Sequence, residues 1–241
     1  MEVQWNTQTV GEVVKANMHA AGIFERHGID YCCGGRQSLA EACERGSVDA
    51  AALQQELKDL PEGGAPNVAD WDTSFLIDYI VNTHHAYVRN MLPTIRAHAA
   101  KVAQVHGENH AETREIASIF MEVNTELEQH MMKEEQVLFP FIKQMVAAEK
   151  GEAAVHSGGF GSVMQPIAMM EQEHDNVGLA FDRMRSLASD FTPPEDACTT
   201  FQLLYRELDE FERDLHMHIH LENNVLHPRA AQLEQHIAAA L

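Results

Sequence analysis

The sequence predicts an all-α protein with two parts. A small N-terminal helical domain (1–60) leads through a linker (61–72) into an up-down-up-down four-helix bundle (73–241). Three observations carry this expectation. Runs of β-branched residues are scarce, and Pro and Gly cluster in a few places instead of recurring along the chain. Pro61-Glu-Gly-Gly-Ala-Pro66 has the composition of a hinge and no apolar periodicity. Beyond it lie four long stretches with helical period.

In the N-terminal domain, Thr9-Val-Gly-Glu12 and Ser38-Leu-Ala-Glu41 have the form of capping boxes, in which two side chains satisfy orphan backbone donors at a helix start. Val10, Val13, Val14 and Met18 follow the first box as one apolar stripe, and Leu39, Ala42 and Cys43 begin another. Gly28 is expected to end a helix, and Gly34-Gly35 to make a turn with positive φ just after Cys32-Cys33.

The first bundle helix is expected over about 73–105, with Ile77, Val81, Val88, Leu92 and Ile95 on one stripe and Pro93 ending or kinking it. The second runs from about 111 to 148, and the loop 151–161 follows. The third covers about 163–188. Thr192-Pro-Pro-Glu195 offers an N-cap, a Pro at the first helical position and a capping-box Glu, so the fourth is expected from there to about 235. Pro140 and Pro228 read as kinks within the second and fourth helices.

Composition narrows the functions. Lys and Arg number 17 against 37 Asp and Glu, a net charge of −20. Such a surface repels phosphate backbones and anionic lipid, so neither nucleic acid nor membrane is an expected partner. The first residues lack a basic start with an apolar run, no segment has the length to span a bilayer, and four Cys do not make a disulfide framework. A cytoplasmic protein is expected. Cys43 and Cys198 read as buried core residues, and Met131-Met132 and Met169-Met170 as core packing.

The chemistry lies in a stretch that occurs twice. His130-Met-Met-Lys-Glu134-Glu-Gln-Val-Leu-Phe-Pro140 recurs as His218-Ile-His-Leu-Glu222-Asn-Asn-Val-Leu-His-Pro228, with His, Glu, Val, Leu and Pro in one frame. A single His-x-x-x-Glu pair is close to chance in a chain rich in both residues; a five-position repeat is not. The i, i+4 spacing stacks imidazole and carboxylate on one helix face. The other two helices supply His85 and His174. His85 is preferred to His84 because it lies on the Val81/Val88 stripe and because His85-Ala-Tyr-Val88 matches His174-Asp-Asn-Val177. The intervals agree as well: His85 precedes His130 by 45 positions and His174 precedes His218 by 44.

Four His and two Glu would give each of two ions a pair of imidazoles, with both carboxylates bridging. That donor set suits iron better than zinc, calcium or magnesium; copper or an iron–manganese pair stays open. Glu126 and Glu173 lie close enough in sequence to orient ligands from behind. His216, His220 and His227 read as exposed helical His. Cys32-Cys33 could bind metal, accept a nitrosyl or persulfide, or exchange disulfides.

Asp30-Tyr31-Cys32-Cys33-Gly34-Gly35 followed by the two His-x-x-x-Glu copies resembles the repair-of-iron-centres family over nearly the whole chain. The resemblance implies a hemerythrin-like bundle with two non-haem irons, oxo- and carboxylate-bridged. It also implies a role in restoring iron–sulfur clusters damaged by oxidative and nitrosative stress. The family's ligands would fall on His85, His130, Glu134, His174, His218 and Glu222, its acidic residues on Glu126 and Glu173, and its Cys pair on Cys32 and Cys33. One departure is His227 before Pro228, where the family usually has Phe. Damaged iron–sulfur proteins and nitric oxide or dioxygen are the implied partners, with a homodimer also open. Two other functions remain open: a sensor of oxygen or nitric oxide, and an enzyme reducing nitric oxide or peroxide.

Overall fold

A computed structural model describes residue 5 and residues 7–61, 67–152 and 161–239. The linker 61–66 and the loop 151–161 therefore fall mostly outside the described residues. The described chain is helical, with a single isolated bridge between Thr9 and Ser38 as its only β pairing. None of its helices is long and apolar enough to cross a membrane.

Four short helices come first: α1 (Val10–Ala16), α2 (Ala20–Arg26), α3 (Leu39–Gly46) and α4 (Ala50–Lys58). Both expected capping boxes are formed, Thr9 with Glu12 and Ser38 with Glu41. α2 closes on Gly28 at φ 63°, where a residue without Cβ costs least. A 3₁₀ turn, Val68–Asp70, precedes the long helices.

These are α5 (73–106), α6 (112–149), α7 (164–187) and α8 (199–239). Each of α5, α6 and α8 contains one wide π turn: Ile80–His85, Glu134–Leu138 and Glu222–Leu226. Pro93 does not end α5, which continues through it to His106. Pro140 and Pro228 each stand two residues past the end of a π turn. There the amide of Phe139 reaches back to the Glu134 carbonyl and that of His227 to Glu222, five residues instead of four. Proline has no N–H and crowds the carbonyl four residues back, so a widened turn just before it relieves both demands.

The start of α8 departs from expectation. Residues 192–198 form a connection, and the helix begins at Thr199. Pro194 disfavours helical φ/ψ at Pro193, so the capping signature cannot nucleate a helix there. Ser189, Asp190 and Phe191 ahead of it all have positive φ, which swings the chain between α7 and α8.

Two compact units are formed: 1–78 with 143–156 and 216–241, and 79–142 with 157–215. In the second, all four long helices contribute to one core. Val88, Leu92 and Ile95 of α5 meet Ile116, Phe120 and Val123 of α6, Val177 and Phe181 of α7, and Phe201, Leu208 and Phe211 of α8. Burying such side chains contributes roughly 1.5–3 kcal/mol each, before chain entropy is set against it.

In the first unit Val10, Val13, Val14, Phe24, Leu39, Leu53 and Leu57 form a separate core. Polar contacts hold the rest of that unit in place. Arg229 donates to the carbonyls of Val68, Ala69 and Trp71 at 2.8, 3.0 and 2.6 Å, fixing the 3₁₀ turn to α8. Gly34 and Gly35 do not have the expected positive φ. Gly35 is needed for closeness: a Cβ there would lie 2.6 Å from both the Asn224 side chain and the Tyr31 carbonyl.

Candidate metal centre

Helix geometry alone stacks the His and Glu of each copy of the repeat. His130 Nε2 and Glu134 Oε2 lie 3.3 Å apart on α6, and His218 Nε2 and Glu222 Oε1 lie 3.1 Å apart on α8. His85 Nε2 is 3.3 Å from the same Glu134 Oε2, and His174 Nε2 is 3.0 Å from His130 Nε2. All six side chains are buried, and the two Glu side chains are 0 % exposed. Among the described residues, two groups bring their ligand atoms within 4.8 Å of one another. One is His85, Glu134, His218 and Glu222; the other is His130, Glu134, His174 and Glu222. Both carboxylates belong to both groups, and each group adds its own pair of imidazoles.

Two buried carboxylates at such range carry a large electrostatic cost unless cations answer them. The donor set therefore fits cation binding on its own chemistry. His84, the neighbour of His85, is also buried but turns elsewhere: its Nδ1 pairs with Asp214 Oδ1 at 3.0 Å.

Carboxylates behind the ligands fix two of the rings. His130 Nδ1 lies 2.8 Å from Glu173 Oε2, and Lys133 pairs with the other oxygen of Glu173. The His130 hydrogen bond, assisted by Lys133, holds the Glu173 carboxyl below its ordinary range. His85 Nδ1 lies 2.6 Å from Glu135 Oε1, which also accepts from Arg89 at 2.7 Å. Each imidazole thus donates from Nδ1 and turns its Nε2 toward Glu134. Glu173 adjoins His174 in sequence, yet the ring it orients is His130. Glu126 lies on the exposed face of α6. Glu135 escaped sequence reasoning because the second copy of the repeat has Asn223 at that position.

The His residues around the second copy are not exposed helical His: His220 and His227 are buried, and His216 is half-buried. Burial pushes the His220 imidazole down to about 4. Neutral, it donates from Nδ1 to the Tyr31 carbonyl at 3.2 Å. Asn224 Nδ2 donates to the Cys32 carbonyl at 2.8 Å. The residues flanking Glu222 on either side thus hold the Cys-bearing turn.

Within that turn Cys32 is buried and Cys33 partly so, and neither forms a disulfide. The Cys32 thiol donates to Asp30 Oδ1 at 3.1 Å. Its hydrogen bond with Cys33, then burial and the Asp30 charge, push that thiol well above its ordinary range. Cys43 is buried as expected, whereas Cys198 is exposed. The Met pairs divide: Met131 and Met170 are in the core, while Met132 and Met169 are about half exposed (49 % and 50 %).

Comparison with known proteins adds sequence-wide similarity to this geometry. The hemerythrin HHE cation binding domain matches residues 76–230, and a domain of unknown function, DUF542, matches residues 6–61. The chain is 38% identical over 232 residues to the iron-sulfur cluster repair protein YtfE of Citrobacter koseri, covering 95% of this chain and 98% of that one. It is 40% identical over 227 residues to YtfE of Enterobacter sp., covering 92% and 96%. Against YtfE of Escherichia coli O157:H7 the identity is 38% over 230 residues, covering 94% and 97%.

Proposed function

Because the chain belongs to the YtfE family of iron-sulfur cluster repair proteins, built on the hemerythrin HHE cation binding domain, we propose that it is a cytoplasmic di-iron protein that repairs iron–sulfur clusters damaged by oxidative or nitrosative stress. The observation that carries the two-ion reading is the sharing of Glu134 and Glu222 between both ligand groups. His85 and His218 would serve one iron, His130 and His174 the other, and the two carboxylates both.

Iron held by imidazole and carboxylate, with no thiolate, supplies a releasable store of the metal and a centre open to nitric oxide or dioxygen. The protein's part is to hold and orient. Glu135 and Glu173 fix the tautomers of His85 and His130 by accepting from Nδ1. Arg89 and Lys133 balance the charge of those carboxylates. The ligand-bearing segments exclude water, since all six side chains are buried. The damaged iron–sulfur protein is the partner, and nothing in the chain's charge favours nucleic acid or lipid.

A sensor of nitric oxide or oxygen is the second reading, and one observation favours it. His220 and Asn224 link the Glu222 segment to the Cys32 turn, so a displacement of Glu222 would be felt there.

The test mixes iron-loaded protein with an iron–sulfur enzyme inactivated by nitric oxide. Repair predicts that activity returns faster than with an equal amount of free iron. The paired substitution Glu134→Leu, Glu222→Leu removes the shared carboxylates and should abolish both two-iron loading and the gain. Recovery no faster than free iron allows would overturn the repair reading.

A further inference from the structure

A second cluster of metal-ligating side chains lies at the other end of α5. His106 closes that helix, about 30 Å along its axis from His85. His110 follows in the turn to α6, while Asp196 and Cys198 lie in the connection from α7 to α8. His106 Nε2 is 3.1 Å from Cys198 Sγ. His110 Nε2 is 3.0 and 3.1 Å from the two oxygens of Asp196. Both imidazoles rest on the ring of Phe201, with centroids 5.2 and 5.5 Å away. An apolar floor under a set of polar donors is the arrangement that keeps ligand rings in place.

We propose that His106, His110, Asp196 and Cys198 form a second cation site, selective for a zinc-class divalent ion and separate from the buried His/Glu centre. The ligand types are those of tetrahedral zinc: two imidazoles, one thiolate, one carboxylate. The thiolate sets it apart from the buried centre, whose donors are only nitrogen and oxygen. His110 carries a further mark of a ligand. Its Nδ1 lies 3.2 Å from Glu112 Oε1 while its Nε2 faces Asp196, so one nitrogen is anchored by a carboxylate and the other directed inward.

The four side chains stand as two hydrogen-bonded pairs, and no three of their ligand atoms lie within 4.8 Å of one another, so the site would assemble on binding. The two rings have centroids 6.3 Å apart, whereas two imidazoles on one tetrahedral ion, at about 2 Å per bond, sit about 5 Å apart. Asp196 and Cys198 are exposed and lie outside any helix, while Ala197 between them is buried in the core, so it is the two side chains that would turn onto the ion. The thiol proton leaves as Sγ binds. The ion would clip the turn between α5 and α6 to the connection between α7 and α8.

The experiment starts from the holoprotein with its iron in place. Zinc is titrated in competition with a chromophoric chelator while iron content is followed. One further equivalent of zinc is expected without loss of iron. Cys198→Ser and His110→Ala should each weaken zinc binding by at least about tenfold and leave iron content unchanged. Cobalt in place of zinc should give a thiolate-to-metal charge-transfer band on the unaltered protein, lost in Cys198→Ser. If the extra equivalent is absent, or persists undiminished in both variants, the four side chains are a pair of hydrogen bonds and the proposal fails. It fails equally if cobalt gives no thiolate band. None of these readouts depends on repair activity.

Discussion

Glu135 and Glu173 show how little of a ligand's environment spacing alone reveals. Glu173 stands beside His174 in sequence, but the 2.8 Å contact it makes is with His130 on another helix. Glu135 stands beside Glu134, and its 2.6 Å contact is with His85, 50 positions earlier. The six inner side chains were legible because helix geometry fixes an i, i+4 pair and the duplication exposed the rest. The outer carboxylates depend on which helices face each other. Removing either acceptor's charge should weaken its hold on the ring, because an amide oxygen accepts less strongly than a carboxylate. Glu135→Gln and Glu173→Gln are each expected to lower iron affinity by about 10–100-fold. Iron loss to a colorimetric chelator measures this, and unchanged release in both would deny the carboxylates an orienting role.

At the scale of elements, helix extents were largely legible, and the departures have local causes. Apolar periodicity located α5 to α7 closely, because it depends on the buried stripe that forms the core. The fourth helix starts later than its signature suggests, since Pro193-Pro194 imitates a cap but excludes helical backbone. Pro140 and Pro228 were visible as anomalies, yet the π turns that accommodate them were not. Those turns begin at Glu134 and Glu222, the two shared carboxylates. Wide turns often sit at functional sites because they alter a side chain's aim without breaking the helix. Replacing both prolines by Ala returns two backbone donors and removes the crowding that the wide turns relieve. Iron retention is expected to fall several-fold while the thermal midpoint holds or rises; equal retention would mean that packing alone sets the turns.

On the scale of the whole molecule, charge and burial act together. A net charge of −20 repels itself, and two of the carboxylates that make it up, Glu134 and Glu222, are wholly buried. Metal that binds only the native state stabilises it by about 4 kcal/mol when its free concentration is roughly a thousand times Kd. For a chain of this size that corresponds to a midpoint change on the order of 10 °C. On the di-iron reading, chelating the metal should lower the midpoint by about that much in calorimetry, and an unchanged midpoint would show that the interior carboxylates are answered without metal. Composition announced the acidity, but it was the duplicated His-x-x-x-Glu frame that picked out the two carboxylates that lie fully inside. Neither showed that residues near 31 and 224, far apart in the chain, meet at a slot made by the missing Cβ of Gly35.

That slot gives the protein a built-in clock. Cys198 is exposed and Cys33 partly so, whereas Cys32 is buried in a turn pinned by His220 and Asn224. An alkylating agent should therefore mark the first two quickly and Cys32 only as fast as the turn lifts. Mass spectrometry of timed samples would read that interval directly. Asn224→Ala should shorten it for Cys32 while leaving Cys198 unaffected, and equal labelling of Cys32 and Cys33 from the outset would mean that the turn is never shut.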